Sequence, residues 1–112
     1  MIEIPLQKVP NQELQIILNG QNCTLHVYWR FWKLYCDLMV NNEQVFTGCM
    51  IQNCQLINQS PSLLFSGGLI MVDTLGDATP CWDELDSRWV LVYLTHEEIN
   101  DLDNTVASIL ER

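Results

Sequence analysis

The sequence predicts an all-β domain: a small antiparallel barrel or sandwich of six to seven strands with a C-terminal α-helix. Three observations carry that expectation. Trp89-Val90-Leu91-Val92-Tyr93-Leu94 is an unbroken apolar run, mostly β-branched or aromatic. It is too short to span a membrane and too β-rich for a helix, and apolar residues at both odd and even positions mean that both faces are covered. Next, the segments between 13 and 51 alternate in polarity and are separated by turn residues, as in antiparallel strands. Last, Ile99, Leu102, Val106, Ile109 and Leu110 recur at helical spacing. The expected organisation is one domain, with 1–95 a β unit opening on an extended arm and 96–112 its helix.

Pro5 and Pro10 each remove a backbone donor, so residues 1–12 read as an extended arm or edge strand with a turn at Pro10-Asn11. Leu14, Ile16 and Leu18 share a face, with Ile17 on the other. Asn19-Gly20 tolerates positive φ and closes a hairpin onto 23–30, where Cys23, Leu25, Val27 and Trp29 alternate with Thr24, His26, Tyr28 and Arg30. A strand over 32–40 places Trp32, Leu34, Cys36, Leu38 and Val40 in phase, which makes Trp32 a core residue beside Trp29 and Trp89. A turn at Asn41-Asn42-Glu43 leads to 44–51, where Gly48 signals a bulge. Residues 52–68 are polar and irregular, with Pro61 and an apolar plug of Leu63, Leu64 and Phe65. A short strand, 69–72, ends at Asp73. An acidic loop over 73–87 precedes the buried run. Thr95 and Glu98 then fit a capping box opening a helix of about four turns.

Composition narrows the function. Hydrophobic residues make up 48% and charged ones 17% of the 112 residues. That is low in charge for a solitary domain, and it leaves apolar surface for partners. The net charge of −9 comes from 14 acids against Lys8, Arg30, Lys33, Arg88 and Arg112. Nucleic acid and anionic lipid are therefore disfavoured as partners, and basic protein surfaces are the natural complement. No basic segment leading into an apolar stretch opens the chain, and no run of about 18 apolar residues occurs, so the expectation is a chain made in the cytosol without membrane binding of its own. Cys23, Cys36, Cys49, Cys54 and Cys81 are odd in number and lack metal-ligand spacing. They read as free thiols packing as small apolar groups, with Cys49 and Cys54 able to cross-link adventitiously on oxidation.

No catalytic constellation is legible. His26 alternates with an apolar face and His96 falls in a helical first turn; Ser66-Gly67-Gly68 is a turn. The acids Asp73, Asp77, Asp83, Glu84 and Asp86 crowd one loop without the spacing of a calcium loop and read as solvated. The expected catalytic, cofactor and metal residues are thus none. Residues 73–103 hold nine of the 14 acids and a single base, Arg88, a docking face for a basic partner. Trp82 in that loop either folds back over the β unit or anchors an interface.

Several landmarks, in this order, resemble one family. They are Ile4-Pro5-Leu6, Val9-Pro10-Asn11-Gln12, Gly48, the Gly67-Gly68-Leu69 turn into a strand ending at Asp73, and Leu91-Val92-Tyr93-Leu94 followed by Glu97-Glu98. Over about residues 2–99 the chain is similar to the baseplate plug family of contractile-tailed phages, found in simplified cyanophage-type baseplates and related prophages. The resemblance implies an all-β virion component at the centre of the tail tip, assembled in the host cytoplasm, without catalytic activity. Implied partners are other baseplate and tail hub proteins, in a homo-oligomer. It transfers no residue roles. Two departures stand out: family chains usually stop near the residue matching Glu98, and Trp82 stands in a loop where relatives are often polar.

Two functions follow: a structural plug or hub-associated subunit that works by protein–protein packing, or a stand-alone small-barrel binding module or adaptor for a protein partner. A small enzyme or inhibitor is disfavoured by the missing site. Candidate interface residues are Trp82, Ile99, Leu102, Val106, Ile109 and Leu110. The apolar stripe formed by the last five must be covered, either by the chain's own β unit or, the favoured expectation, by a neighbouring subunit.

Overall fold

The alternating first half of the chain forms a four-stranded antiparallel meander. In the computed structural model, which describes residues 1–58 and 65–111, strands β2 (Asn11–Leu18), β3 (Gln21–Arg30), β4 (Lys33–Val40) and β5 (Glu43–Met50) lie in sequence order. Two-residue loops join them at 19–20, 31–32 and 41–42, and all six loop residues have positive φ. Such turns match the right-handed twist of the strands they connect. The alternation sends Cys23, Leu25, Val27, Leu34, Cys36, Leu38 and Val40 inward. Gly48, at φ 67°, marks the expected bulge in β5; the register skips there, and the freed Gly48 N–H donates to Asp37 Oδ1 at 2.7 Å.

The second sheet has three antiparallel strands in the order β1 (Ile2–Ile4), β7 (Trp89–Leu94), β6 (Gly68–Asp73). The N-terminal arm is thus the edge strand β1, paired Ile2 with Tyr93, and β7 is central as its composition demands. Ile4, Leu69, Met71, Trp89, Leu91 and Tyr93 share one core with the inner face of the meander. Ile70, Val72, Val90, Val92 and Leu94 point the other way into a second core with Ile109. The arrangement is two packed sheets, a sandwich; no closed barrel forms among the described residues.

The capping box forms as expected. The Glu98 N–H donates to Thr95 Oγ1 at 3.4 Å, and the Thr95 N–H donates to Glu98 Oε1 at 3.0 Å. The single helix does not. It breaks into α1 (His96–Asn100) and α2 (Leu102–Leu110) at Asp101, whose φ of −120° and ψ of 50° are not helical. The break is held locally: Thr105 Oγ1 donates to the carbonyls of Glu98 and Asp101, and Asn104 Nδ2 donates to the Asp101 carboxylate. Aspartate competes with the backbone for such bonds and is a weak helix former.

Trp32 departs from expectation. It lies in the β3–β4 turn, not in a strand, and is 82% exposed, whereas Trp89 is buried and Trp29 half-buried. The in-phase reading failed because the two-residue turn begins at Phe31, so Trp32 is a loop residue that only borrows the phase of β4. Cys49 lies opposite Cys36 in the register of β4 and β5, and all five cysteines are free thiols. Of the expected plug, Phe65 is buried with its ring edge-on to Tyr93 at 5.8 Å; Pro61, Leu63 and Leu64 lie outside the described residues, as does Arg112.

The end of β6 carries a buried charge. Asp73 is 1% exposed. Arg88 meets it through two bonds of 2.8 Å, from Nε to Oδ1 and from Nη2 to Oδ2, and the N–H groups of Leu75 and Ala78 donate to the same carboxylate. The Arg88 bonds, chiefly, hold the Asp73 carboxyl well below the usual carboxylate range, against the opposing effect of burial.

Three outcomes follow. Val92→Asp places an unpaired carboxylate between α2 and the sheet; its cost approaches the whole stability of a small domain, about 5–15 kcal/mol, so the variant does not fold. A soluble variant that melts like wild type would contradict the second core. Ile109→Ala lowers the urea-unfolding free energy by about 2–5 kcal/mol, and truncation after Asn100 exposes the same face and yields unfolded or aggregated protein; a stable truncated chain would show the helix to be dispensable to the fold. Because Asp73 is depressed in the folded state, its contribution is complete above its unfolded pKa of about 3.9 and is lost as pH falls through the lower folded value. Asp73→Asn therefore melts lower than wild type at pH 7, and the gap narrows below about pH 4; a constant gap down to pH 2 would separate the stability of this pair from its ionisation.

Candidate functional site

The candidate interface residues divide by position. Trp82 opens a short 3-10 helix, Trp82–Glu84, and is half-buried against the main core, so the loop folds back over the end of the sandwich. Ile99, Leu102, Val106 and Ile109 lie on the outer face of the three-stranded sheet, with Ile109 only 1% exposed. This corrects the expectation that a neighbouring subunit covers the stripe: the chain's own sheet does. The physical reason is β7, whose second apolar face must be covered within the chain. Leu110, one position past Ile109, turns outward and is 49% exposed.

The acidic loop over 74–88 is built on the Asp73–Arg88 pair rather than uniformly solvated. Thr74 supports it, its N–H and Oγ1 donating to the Arg88 carbonyl at 2.8 and 2.6 Å. Asp77 accepts from Asn53 Nδ2 at 2.9 Å, while Asp83 and Asp86 face solvent. Among the described residues no three His, Cys, Asp or Glu side chains come together as metal ligands would. The outer face of the meander carries a small polar cluster. His26 sits between Asn11 Oδ1 at 2.7 Å and Asp37 Oδ2 at 3.5 Å, and Tyr28 donates to Asp37 Oδ1 at 3.1 Å. Its rings stack, His26 on Tyr28 at 4.7 Å and Tyr28 on Tyr35 at 5.9 Å. Asp37 also fixes the Gly48 bulge, so the cluster ties all four strands of the meander together.

The depressions of the surface are open. One of about 620 Å³ lies over Gln15, Ile17, Thr24 and Asn42, and one of about 260 Å³ lies between Lys33, Met50 and the loop at Asp77–Thr79. Neither joins a nucleophile to a base. Cys36 and Cys23 are buried and burial raises both thiols, which keeps them protonated and unreactive.

Sequence reasoning missed the β3–β4 tip. Phe31 and Trp32, 74% and 82% exposed, stand side by side at its apex, with Arg30 and Lys33 paired across its base. The missed signal was the strand register: Arg30 opposite Lys33 leaves two residues for the loop, and those two are aromatic.

Among the described residues no set of metal ligands converges, and two aromatic side chains stand exposed at one turn. No curated protein matches the chain. A sequence model of one family, described as cyanophage baseplate Pam3 plug gp18, matches residues 1–97 of the 112. Such a family indicates a baseplate plug protein in the tail of a phage virion, alongside other tail proteins, and its structural character suggests a non-enzyme. The match runs from the edge strand β1 through β7 into the first turn of α1, which takes in both sheets, and on that extent the chain belongs to the cyanophage baseplate Pam3 plug gp18 family.

Proposed function

We propose that the chain is a plug or hub-associated structural subunit of a contractile-tail baseplate, and that it works by packing against neighbouring proteins. The single observation that carries this reading is the family match over residues 1–97. The geometry supports it: the side chains that would do chemistry are buried, paired or scattered, while large apolar groups stand exposed at Phe31, Trp32 and Leu75. The partners are other baseplate and tail hub proteins, several copies of the chain take part, and assembly takes place in the host cytoplasm before the tail joins the virion. The charge of −9 favours neighbours with basic faces opposite the 73–103 segment.

The test is composition. Tails purified from producing cells contain the chain in a fixed ratio to the tube subunit, measured by quantitative mass spectrometry. Disrupting its gene yields tails without a closed tip in electron micrographs. Intact, infectious particles that lack the chain would overturn the reading.

A further inference from the structure

The meander contains its own control for what its turns are for. Three two-residue turns join its strands, and all three hold both loop residues at positive φ. Two use the residues this geometry favours, Asn19-Gly20 and Asn41-Asn42. The third uses Phe31 and Trp32, at φ 51° and 64°, a conformation that bulky side chains rarely adopt. Stability does not explain the choice, since both rings lie largely in water, 74% and 82% exposed, and neither belongs to a core. A strained backbone that presents two large apolar side chains to solvent is the mark of a contact residue, because aromatic groups of that kind carry most of the energy of protein interfaces.

The charge around the tip says what it meets. The chain is acidic, at −9, yet two of its five cations flank these rings. The Arg30 guanidinium lies over the Phe31 ring at 5.0 Å, and Lys33 borders the depression beside Met50. Among the described residues neither Arg30 nor Lys33 is in an ion pair, whereas Arg88 is fully engaged by Asp73. The tip is therefore a small positive, aromatic projection on a negative body.

We propose that the Arg30-Phe31-Trp32-Lys33 tip is an anchor that inserts its two rings into an apolar pocket rimmed by carboxylates on another protein of the tail. This rests on the function proposed above. Carboxylates on the rim recognise Arg30 and Lys33 and fix the orientation, and the pocket desolvates the rings. A lipid surface fits less well, because the acidic body would be repelled by anionic headgroups.

The experiment adds full-length chain to tails assembled without it and measures the bound fraction. Phe31→Asn with Trp32→Gly installs the turn sequence used at 19–20. This double variant melts no lower than wild type and binds the tails at least about tenfold more weakly, the loss expected when central aromatic anchors are removed. A second variant, Arg30→Glu with Lys33→Glu, leaves the rings in place and also binds more weakly; that deficit shrinks as salt screens the rim. Undiminished binding by the first variant overturns the proposal, as does a lower melting temperature, which would make the rings a folding element. Sedimentation with phosphatidylglycerol vesicles that depends on Trp32 would replace the protein partner with a membrane, and a tip-dependent dimer in analytical ultracentrifugation would replace it with a second copy; either result overturns the proposal. If wild-type chain itself fails to bind the tails, the baseplate reading falls first; if wild type binds and the variants bind equally, only the tip assignment falls.

Discussion

Strand β7 has no face for solvent, and most of the molecule answers that constraint. Leu91 and Tyr93 point toward the meander while Val90, Val92 and Leu94 point away from it. Each set is expensive to leave in water, at about 25 cal/mol per Å² of apolar surface. One covering layer therefore cannot suffice. The four-stranded sheet supplies the first and α2 the second, with β1 and β6 closing the sides. The break at Asp101 belongs to the same solution. A helix run straight on from α1 would keep one axis; the non-helical residue lets the last two turns take another, and Thr105 satisfies the two carbonyls left at the joint. The family match ends at residue 97, so the element that buries the outer face lies just beyond it.

The ends of the sandwich are fixed by polar contacts instead. At the β6–β7 loop, a fork of two Arg88 bonds and two backbone N–H groups surrounds the Asp73 carboxylate. A buried acid with this many donors is well compensated, and the Arg88 guanidinium also covers the Trp89 ring at 4.6 Å. At the other end Gln21 exchanges bonds with Ser66, whose carbonyl also accepts from the Tyr93 hydroxyl at 2.6 Å. Gly67, at φ 100°, lies directly under that hydroxyl, where an added Cβ would collide with it and with the Leu94 carbonyl. The Gly67-Gly68 step is thus required by close approach as well as by backbone angle.

Much of this was legible in the sequence, and the reasons differ by element. The double burial of β7, the Asn19-Gly20 hairpin, the Gly48 bulge and the Thr95–Glu98 box follow from local rules that tertiary structure had no cause to overrule. Residue periodicity also located the apolar stripe of the helix, but not what covers it, since a stripe is equally consistent with a neighbour or with the chain's own sheet. The Asp73–Arg88 pair was hidden because it joins residues 15 positions apart across a strand pair; the only hint was a lone base among nine acids. Trp32 was misplaced because alternation extends one phase step too far when a turn is made of residues that look like strand. The β3–β4 tip suffered most from this, since Trp32 was assigned to the core and Phe31 beside it to no element.

That misassignment also shows how fold and function share one chain. Turn positions with positive φ are where sequence is normally most constrained toward Asn and Gly, and the meander obeys that constraint at one end. At the opposite end, next to the Asp77–Thr79 segment of the acidic loop, the same backbone geometry carries aromatic rings and cations. The strands on either side hold the turn through their register, with Arg30 and Lys33 facing each other as the last pair. The scaffold can therefore tolerate an unfavourable turn sequence, because long-range strand pairing and not the turn itself fixes the hairpin. A two-residue loop on paired strands is also short and stiff, so its side chains lose little freedom on docking. The Phe31-Trp32 turn is in this way a short projection held by paired strands, the form of contact that the proposed packing role calls for.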